Sequence, residues 1–235
     1  LALNSPDASL SVFDVTGVAP VLTAEIPVGL EPVAVRARSN DEIWVVNEVS
    51  DSISIVSLNN GSVIDTLPTG DEPADIVFVP GKAYVTCSRQ NLVKVYDTTT
   101  RSETGSIALD GLYPRSLAVS SDESKVYTVF QLSGNNTTVL SAAKAPAPPA
   151  PTNSALPPAP QTALIVSTSD PRIDYTVLDR DVAVIDVATS VVTYFGGLGT
   201  NLFDIAERPG SHELWVPNTE ALNLVRFEPQ LRGHF

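Results

Sequence analysis

Side chains that could bind a polar ligand recur in the predicted turns of this chain. They are carboxylates, amides and guanidinium groups, which form hydrogen bonds and ion pairs with ligands and with other proteins. The candidates for a binding site are Glu31, Glu48, Glu72, Arg89, Arg115, Asn135, Asn136, Asn201 and Glu220. The same residue types are also common in ordinary solvated loops, so the composition of this set leaves both interpretations open.

Few residues indicate catalysis or a bound metal. The two histidines, His212 and His234, lie near the C-terminal end, and His212 falls in a predicted surface turn. Gly-x-Ser-x-Gly, P-loop and His-Glu-x-x-His motifs do not occur. Four carboxylates that could hold calcium, in a spacing unlike that of an EF-hand, are Asp170, Asp174, Asp179 and Asp181. We therefore predict no catalytic residue and no metal ligand, with calcium as the less favoured alternative.

The single cysteine, Cys87, closes an apolar run. We interpret it as a small buried hydrophobic residue rather than a reactive thiol. One cysteine excludes an intrachain disulfide and the Cys-x-x-Cys-His attachment of a c-type haem within these 235 residues. The sequence therefore predicts no cofactor of its own, and a haem only in a segment that this sequence does not contain.

Composition limits the function classes. The chain is 43% hydrophobic and 17% charged, with a net charge of −13, and this acidity disfavours nucleic acid as a partner. No run approaches the roughly 20 apolar residues of a membrane-spanning helix. The chain begins at Leu1, has no methionine and is poor in lysine. We take these features as those of a processed or partial product of an exported bacterial protein, extracellular or periplasmic.

A repeat of about 41 residues organises the chain and positions the candidate residues. Gly-x-x-Pro segments begin at Gly29, Gly70 and Gly111, and a strand-like apolar run follows each of them. A period of 40–45 residues that contains several short strands is typical of a β-propeller blade. We predict an all-β fold of four-stranded antiparallel blades, with strands A to D running from the channel outwards.

The repeat predicts a single propeller domain, which forms an arc of a propeller with six to eight blades. The alternative, in which the two ends of the chain share one blade, stays open. The predicted segments are a partial blade 1–27, blades 28–67 and 68–109, a blade 110–198 that contains an insertion at 131–180, and a partial blade 199–235.

Strand order places the D-to-A and B-to-C connections on one face of the disc, and the candidate residues fall in them. The 131–180 insertion leaves from the same face and contains a proline-rich part, Ala145–Pro160. We expect the insertion to cover this face or to reach a neighbouring subunit. Its apolar part, Ala163–Val166, could add a strand to a sheet edge.

Blade packing covers both faces of a sheet, so the alternating apolar residues are predicted to be buried. They are Val33, Val35, Ile43, Val45, Ile55, Ile76, Phe78, Tyr84, Val85, Val95, Leu117, Val119, Val126, Val184, Ile205 and Trp215.

Three segments carry a resemblance to a known family. Ile43–Asn47, Ala83–Cys87 and Leu214–Asn218 resemble the Tyr-Val-Thr-Asn core of YVTN β-propeller repeats, and the Gly-x-x-Pro starts fit the same family. More narrowly, Ser133–Thr138 and Gly199–Phe227 resemble the propeller half of large exported bacterial proteins that also carry a c-type cytochrome segment. The resemblance implies a surface or periplasmic protein without catalytic residues.

The sequence is compatible with two functions. The first is a non-catalytic scaffold or binding module with a protein partner or self-assembly, which could support a cytochrome segment elsewhere. The second is a propeller enzyme, such as a lactonase-like hydrolase or a quinoprotein-type dehydrogenase, with its site at the channel mouth.

Overall fold

The structure of the protein is a computed structural model that describes residues 1–134, 136–177 and 179–219. Nearly all of its regular structure is β-strand, arranged in antiparallel sheets that include three of four strands each. This confirms the predicted all-β class and the four-stranded antiparallel blade. Along the described chain, no helix is long and apolar enough to cross a membrane.

The first three blades follow one another along the chain. The first has three strands, β1 (Ala2–Asn4), β2 (Ser9–Asp14) and β3 (Val21–Pro27). The second contains β4 (Pro32–Ala37), β5 (Glu42–Asn47), β6 (Ser52–Ser57) and β7 (Ser62–Pro68). The third contains β8 (Pro73–Val79), β9 (Lys82–Cys87), β10 (Leu92–Asp97) and β11 (Ser102–Ala108). Each strand pairs with the next, so strands A to D of a blade lie in chain order.

The fourth blade is interrupted by a hairpin. Its region contains β12 (Leu112–Val119), β13 (Lys125–Leu132), β14 (Thr137–Leu140), β15 (Leu164–Ser167), β16 (Val182–Asp186) and β17 (Val192–Phe195). The blade itself has the order β12-β13-β16-β17, while β14 and β15 pair only with each other. The strand predicted from Ala163–Val166 forms as Leu164–Ser167, and its partner is β14 within the insertion rather than a blade strand. Whether it packs on a neighbouring subunit stays a prediction.

The fifth blade is described through two broken strands. They are β18 (Asn201–Leu202) and β19 (Ala206–Arg208) on the inner side, and β20 (Glu213–Trp215) and β21 (Asn218–Thr219) beside them. Leu222–Phe227, which the repeat predicts as strand C of this blade, lies outside the described residues.

Apolar side chains fill the space between successive blades. Four buried clusters join the first blade to the second, the second to the third, the third to the fourth and the fourth to the fifth. Ten of the predicted core residues are buried: Ile43, Val45, Ile55, Ile76, Tyr84, Val85, Val95, Leu117, Val126 and Ile205. Five are half-buried: Val33, Val35, Phe78, Val119 and Val184. The alternating pattern therefore identified the inter-blade faces.

Trp215 is the exception. It was predicted to be buried, but 62% of its surface is exposed. Its neighbours Leu214 and Val216 pack against the fourth blade. Alternation along β20 turns Trp215 to the opposite face, where the described residues provide no further blade.

The turns repeat as closely as the strands. Residues with left-handed backbone conformations directly precede the strand A proline at Glu31, Glu72 and Tyr113, and precede strand C at Ala8, Asp51 and Asn91. Such a conformation is unfavourable for any residue with a Cβ, so the structure must compensate for it. The Asp51 Oδ1 accepts the Glu72 N–H at 3.0 Å, and the Asn91 Oδ1 accepts the Tyr113 N–H at 2.9 Å. In each case the side chain before strand C of one blade accepts the N–H of the residue before the strand A proline of the next blade. This hydrogen bond holds the two turns together on one face of the disc.

Glu42 ties the second blade to the third. Its Oε1 accepts hydrogen bonds from the Trp44 Nε1 at 2.7 Å and from the Arg38 Nη1 at 3.0 Å. Its Oε2 pairs with the Arg101 Nη2 at 3.0 Å. Burial of the carboxyl group acts to raise its pKa, but the three donors outweigh burial and the pKa is lowered from its usual 4.5.

The lowered pKa of Glu42 predicts a specific acid sensitivity. A carboxyl group whose pKa is lower in the folded state stabilises the fold above its unfolded pKa of about 4.5, and this stabilisation is lost as pH falls through the folded pKa. We expect Glu42→Gln to lower the melting temperature at neutral pH and to flatten its decline on acidification. Glu25→Gln, at an exposed position of β3, is the control and leaves the profile unchanged. Parallel profiles for wild type and Glu42→Gln would contradict this assignment.

Candidate functional site

Residues from the inner edges of the described blades line an axial cavity of about 340 Å³ that is open to solvent. Its lining includes Leu3 of β1, Arg36 of β4, Asp75 of β8, Ser116 of β12 and Phe203 between β18 and β19. An inner strand presents its side chains both to the neighbouring blades and to this axis, so polar residues at corresponding repeat positions converge there. The cavity is the place where residues from different blades could act on one ligand.

Asp75 is the central polar residue of the cavity wall and is only 5% exposed. Its Oδ1 lies 3.0 Å from the Arg36 Nη2 and accepts the Ile76 N–H at 2.8 Å. Its Oδ2 accepts the Leu117 N–H of the next blade at 2.9 Å. Burial raises the pKa of this carboxyl group, although Arg36 and the backbone donors act in the opposite direction. Asp75 therefore joins three consecutive blades through one carboxylate.

Ser116 connects Asp75 to the fifth blade. Its Oγ lies 3.2 Å from the Asp75 Oδ2 and 2.5 Å from the Asp204 Oδ1. A serine hydroxyl carries a single proton and donates to one acceptor at a time. The shorter contact assigns this proton to Asp204, whose Oδ1 also accepts the Ile205 N–H at 2.8 Å. The Ser116 hydroxyl thus lies between the exposed carboxylate of Asp204 and the buried carboxylate of Asp75.

Arg115 and Glu48 form the second ion pair near the cavity. The Arg115 Nη1 lies 2.9 Å from the Glu48 Oε1, which brings a residue of the fourth blade to the B-to-C connection of the second. Arg115 was predicted to lie in a loop, but it belongs to strand β12. The strand begins earlier than the apolar pattern indicates, because Leu112 and Pro114 already pair with β13.

The other predicted site residues lie apart from the cavity. Glu31 and Glu72 occupy the left-handed positions before Pro32 and Pro73, where their carbonyl groups accept the N–H groups of Glu48 and Ser88. Arg89 lies in a short 3₁₀ helix rather than a loop and pairs with Glu72 at 3.6 Å. Asn201 lies in β18 rather than a loop, and its Nδ2 is 3.4 Å from the Thr219 Oγ1. Asn135 and Glu220 lie outside the described residues.

Asn136 is placed at the base of the insertion. Its N–H donates to the Asp179 Oδ2 at 2.7 Å, and the Ser133 Oγ lies 2.9 Å from the Asp179 Oδ1. Asp181 is fully buried beside them and accepts hydrogen bonds from Ser133 and from the N–H groups of Leu198 and Gly199. These bonds attach both ends of the insertion to the fourth blade.

The predicted calcium carboxylates do not form one group. Asp170 pairs with Arg172 at 2.6 Å and Asp174 with Lys144 at 2.7 Å, within the insertion, whereas Asp179 and Asp181 are at its base. Over residues 1–134, 136–177 and 179–219, no three His, Cys, Asp or Glu side chains are grouped as metal ligands.

Cys87 is a buried residue, and His212 is an exposed residue of a turn. Cys87 is fully buried, and burial raises its pKa to about 11, which keeps it a thiol. His212 lies in the turn before β20, 63% exposed, with its Nδ1 3.8 Å from the Glu207 Oε1.

Sequence reasoning missed three residues of the cavity, Arg36, Asp75 and Ser116, and also Asp204, which contacts Ser116. A signal for three of them was present in the repeat, because Asp75, Ser116 and Asp204 each stand two residues after the position of the strand A proline or its equivalent, Leu202. These positions point to the axis in successive blades.

The buried Asp75 carboxylate predicts a measurable loss of stability. Asp75→Ala removes the acceptor of the buried Leu117 N–H and the partner of Arg36, which we expect to lower the free energy of unfolding by about 2–3 kcal/mol. Asp204→Ala removes the exposed acceptor of the same Ser116 hydroxyl and is expected to change it by less than about 1 kcal/mol. Urea unfolding of both variants measures the difference. Equal effects would show that Asp75 does not hold the blades together.

Comparisons with known proteins identify the fold of the chain and not its function. No family model and no curated protein matches the chain. The solved structure of hydrazine synthase from Kuenenia stuttgartiensis is similar over 91% of this chain and 68% of that one, with 18% identity and a TM-score of 0.56. A functionally unknown protein from Desulfotomaculum acetoxidans is similar over 90% of this chain and 56% of its own, with 12% identity and a TM-score of 0.58. Likenesses at these identities show the fold alone, and the chain has the fold of a β-propeller protein.

Proposed function

We propose that this protein is a non-catalytic, exported β-propeller of the YVTN repeat type that serves as a scaffold or binding module. The observation that carries the proposal is the internal pairing of the charged groups near the axis. Arg36 pairs with Asp75, and Arg115 pairs with Glu48. An enzyme needs an acid, base or nucleophile that is free to act on a substrate, whereas these groups bind one blade to another. A haem or other redox group belongs, in this proposal, to a polypeptide segment outside these residues.

The face with the D-to-A and B-to-C connections is the proposed partner-binding face. Its arginines are neutralised locally, since Arg89 pairs with Glu72, Arg115 with Glu48 and Arg180 with Asp110. Four exposed carboxylates of the first three blades have no ion pair within the described part of the chain: Asp7, Glu31, Asp51 and Asp71. This excess of negative charge favours a partner protein with a cationic surface.

Cofactor content separates the scaffold from the enzyme. Metal analysis and the visible spectrum of the purified 235-residue chain are expected to show no stoichiometric calcium, transition metal, quinone or haem. A stoichiometric metal or quinone that is lost in the Ser116→Ala variant would overturn the proposal in favour of an enzyme. A Soret band in the native full-length protein alone would place a cytochrome segment outside these residues, and a featureless Soret region there would remove the cytochrome association.

Charge neutralisation tests the partner-binding face. Glu31→Gln combined with Asp71→Asn removes two exposed charges from it, while Glu25→Gln combined with Glu123→Gln removes two exposed charges elsewhere. We expect the first pair to release a partner that co-purifies with the native protein at lower salt than wild type, and the second pair to leave that salt concentration unchanged. Equal shifts for both pairs would mean that net charge, and not this face, attracts the partner.

A further inference from the structure

The uncovered face of the fifth blade reproduces a face that is covered elsewhere in the same molecule. In the second blade, Trp44 lies on β5 opposite Arg36 of β4. In the fifth blade, Trp215 lies on β20 opposite Ala206 of β19, in the same antiparallel arrangement. Leu214 and Val216 contact the preceding blade, as Ile43 and Val45 do in the second blade. The two tryptophans therefore point to the same side of their blades, away from the preceding one.

The charged residues beside the tryptophan are repeated as well. Glu42 stands two residues before Trp44 and pairs with Arg38 at 3.0 Å. Glu213 stands two residues before Trp215 and pairs with Arg208 at 3.2 Å. The Glu42 side chain is 14% exposed, whereas that of Glu213 is 52% exposed. The Glu-x-Trp order and the Arg–Glu pair occur in both blades, although the arginine precedes the glutamate by four residues in the second blade and by five in the fifth. The degree of covering is the main difference.

The structure shows what covers this combination in the second blade. Phe78, from the inner strand of the third blade, meets Trp44 edge to face with ring centroids 5.5 Å apart. Arg101, from the turn before the outer strand of the third blade, supplies the second cation of Glu42 at 3.0 Å. Under this cover Trp44 is fully buried, whereas 62% of Trp215 is exposed. The cover therefore has a defined chemistry: a sheet that brings an aromatic ring to the indole and a guanidinium group to the carboxylate.

We propose that the face formed by Arg208, Glu213 and Trp215 is the docking surface for a further antiparallel propeller blade. That blade places an aromatic side chain of its inner strand against Trp215 and a cation of its outer turn at Glu213. A second copy of the described blades does not provide this chemistry. The face of its first blade that points away from the second blade carries Asn4 and the buried Ser9 and Ser11, and its turn from Asp14 to Val21 contains no cation. This inference concerns a different surface from the proposed partner-binding face and does not depend on it.

Site-specific photo-crosslinking tests the proposal in the full protein as its source makes it. Trp215 is replaced by p-benzoylphenylalanine, and the crosslinked residue is identified by mass spectrometry. The expected product joins position 215 to a strand of a Gly-x-x-Pro repeat that is not among residues 1–219. The matched control places the same probe at Val139, an exposed residue of the insertion hairpin, and gives no such product. Glu213→Lys, which repels the cation, is expected to abolish the product at position 215.

Fluorescence provides a second measurement that does not depend on crosslinking. The 235 residues contain two tryptophans, and Trp44→Phe leaves only Trp215. We expect red-shifted emission with full acrylamide quenching in the 235-residue chain, and blue-shifted emission with loss of quenching in the native protein. Full quenching in the native protein would overturn the proposal. A crosslink to a second copy of the described blades, to residues 220–235 or to a polypeptide without the repeat would also overturn it.

Discussion

Trp44→Ala lowers the free energy of unfolding by about 3–5 kcal/mol, whereas Trp215→Ala changes it by less than about 0.5 kcal/mol in the 235-residue chain. Trp44 is fully buried between the second and third blades, and its removal leaves a cavity in the buried cluster that also contains Ile76, Val85 and Tyr96. Trp215 has the same position in the repeat but is 62% exposed, so its removal leaves no cavity. Urea unfolding of both variants measures the pair.

The comparison is informative because the two substitutions are chemically identical. A large loss at both positions would show that Trp215 is covered in the 235-residue chain, and the exposed face would then be absent. A small loss at both would show that the second and third blades pack without the indole. Trp44→Phe, which keeps an aromatic ring, is expected to lose less stability than Trp44→Ala.

Gly111→Ala lowers the free energy of unfolding by about 1–3 kcal/mol through overpacking. An added Cβ at Gly111 would lie 2.3 Å from the Cε1 of Phe130. The Phe130 ring is fully buried and contacts Tyr194 at a centroid distance of 6.3 Å, so it has little room to move. The substitution therefore forces the connection between the third and fourth blades away from β13.

Gly105→Ala is the matched control for this prediction. An added Cβ at Gly105 in β11 meets nothing within 4 Å, so we expect a change of less than about 0.5 kcal/mol. Thermal unfolding of the two variants distinguishes the steric effect from a general intolerance of alanine in strands. If Gly111→Ala were as stable as Gly105→Ala, the close approach to Phe130 would not constrain this connection.

The repeat of Gly-x-x-Pro segments predicted the fold correctly because each blade needs a residue without a Cβ at the start of the segment. Gly29, Gly70 and Gly111 are placed where any Cβ would overlap the end of strand B, at Asn47, Gln90 with Cys87, and Phe130 respectively. Alternation of apolar residues predicted the inter-blade faces for the same reason, since both signals arise within one blade. Properties that depend on one blade at a time are therefore readable from the sequence.

Contacts between blades were not readable in this way. The Arg36–Asp75 pair and the Arg115–Glu48 pair join residues about one and two repeats apart, and no local pattern specifies which charges meet. Trp215 was predicted to be buried because alternation indicates which face a side chain takes and does not indicate whether another blade covers that face. The strand at Leu164–Ser167 found its partner in β14, across the proline-rich part of the insertion.

The insertion between β13 and β16 has a consequence for the order in which the blades form and open. In the second blade, the corresponding strands β5 and β6 are joined by a turn of four residues, 48–51, whereas 49 residues, 133–181, separate β13 from β16. Loop-closure entropy rises by about 0.6 kcal/mol per doubling of length, so pairing β13 with β16 carries an extra entropic cost of about 2 kcal/mol. The buried Asp181 and its hydrogen bonds offset part of this cost. We therefore expect the fourth blade to be the last of the described four-stranded blades to assemble and the first to exchange its amide hydrogens, so that the propeller is kinetically asymmetric around its axis.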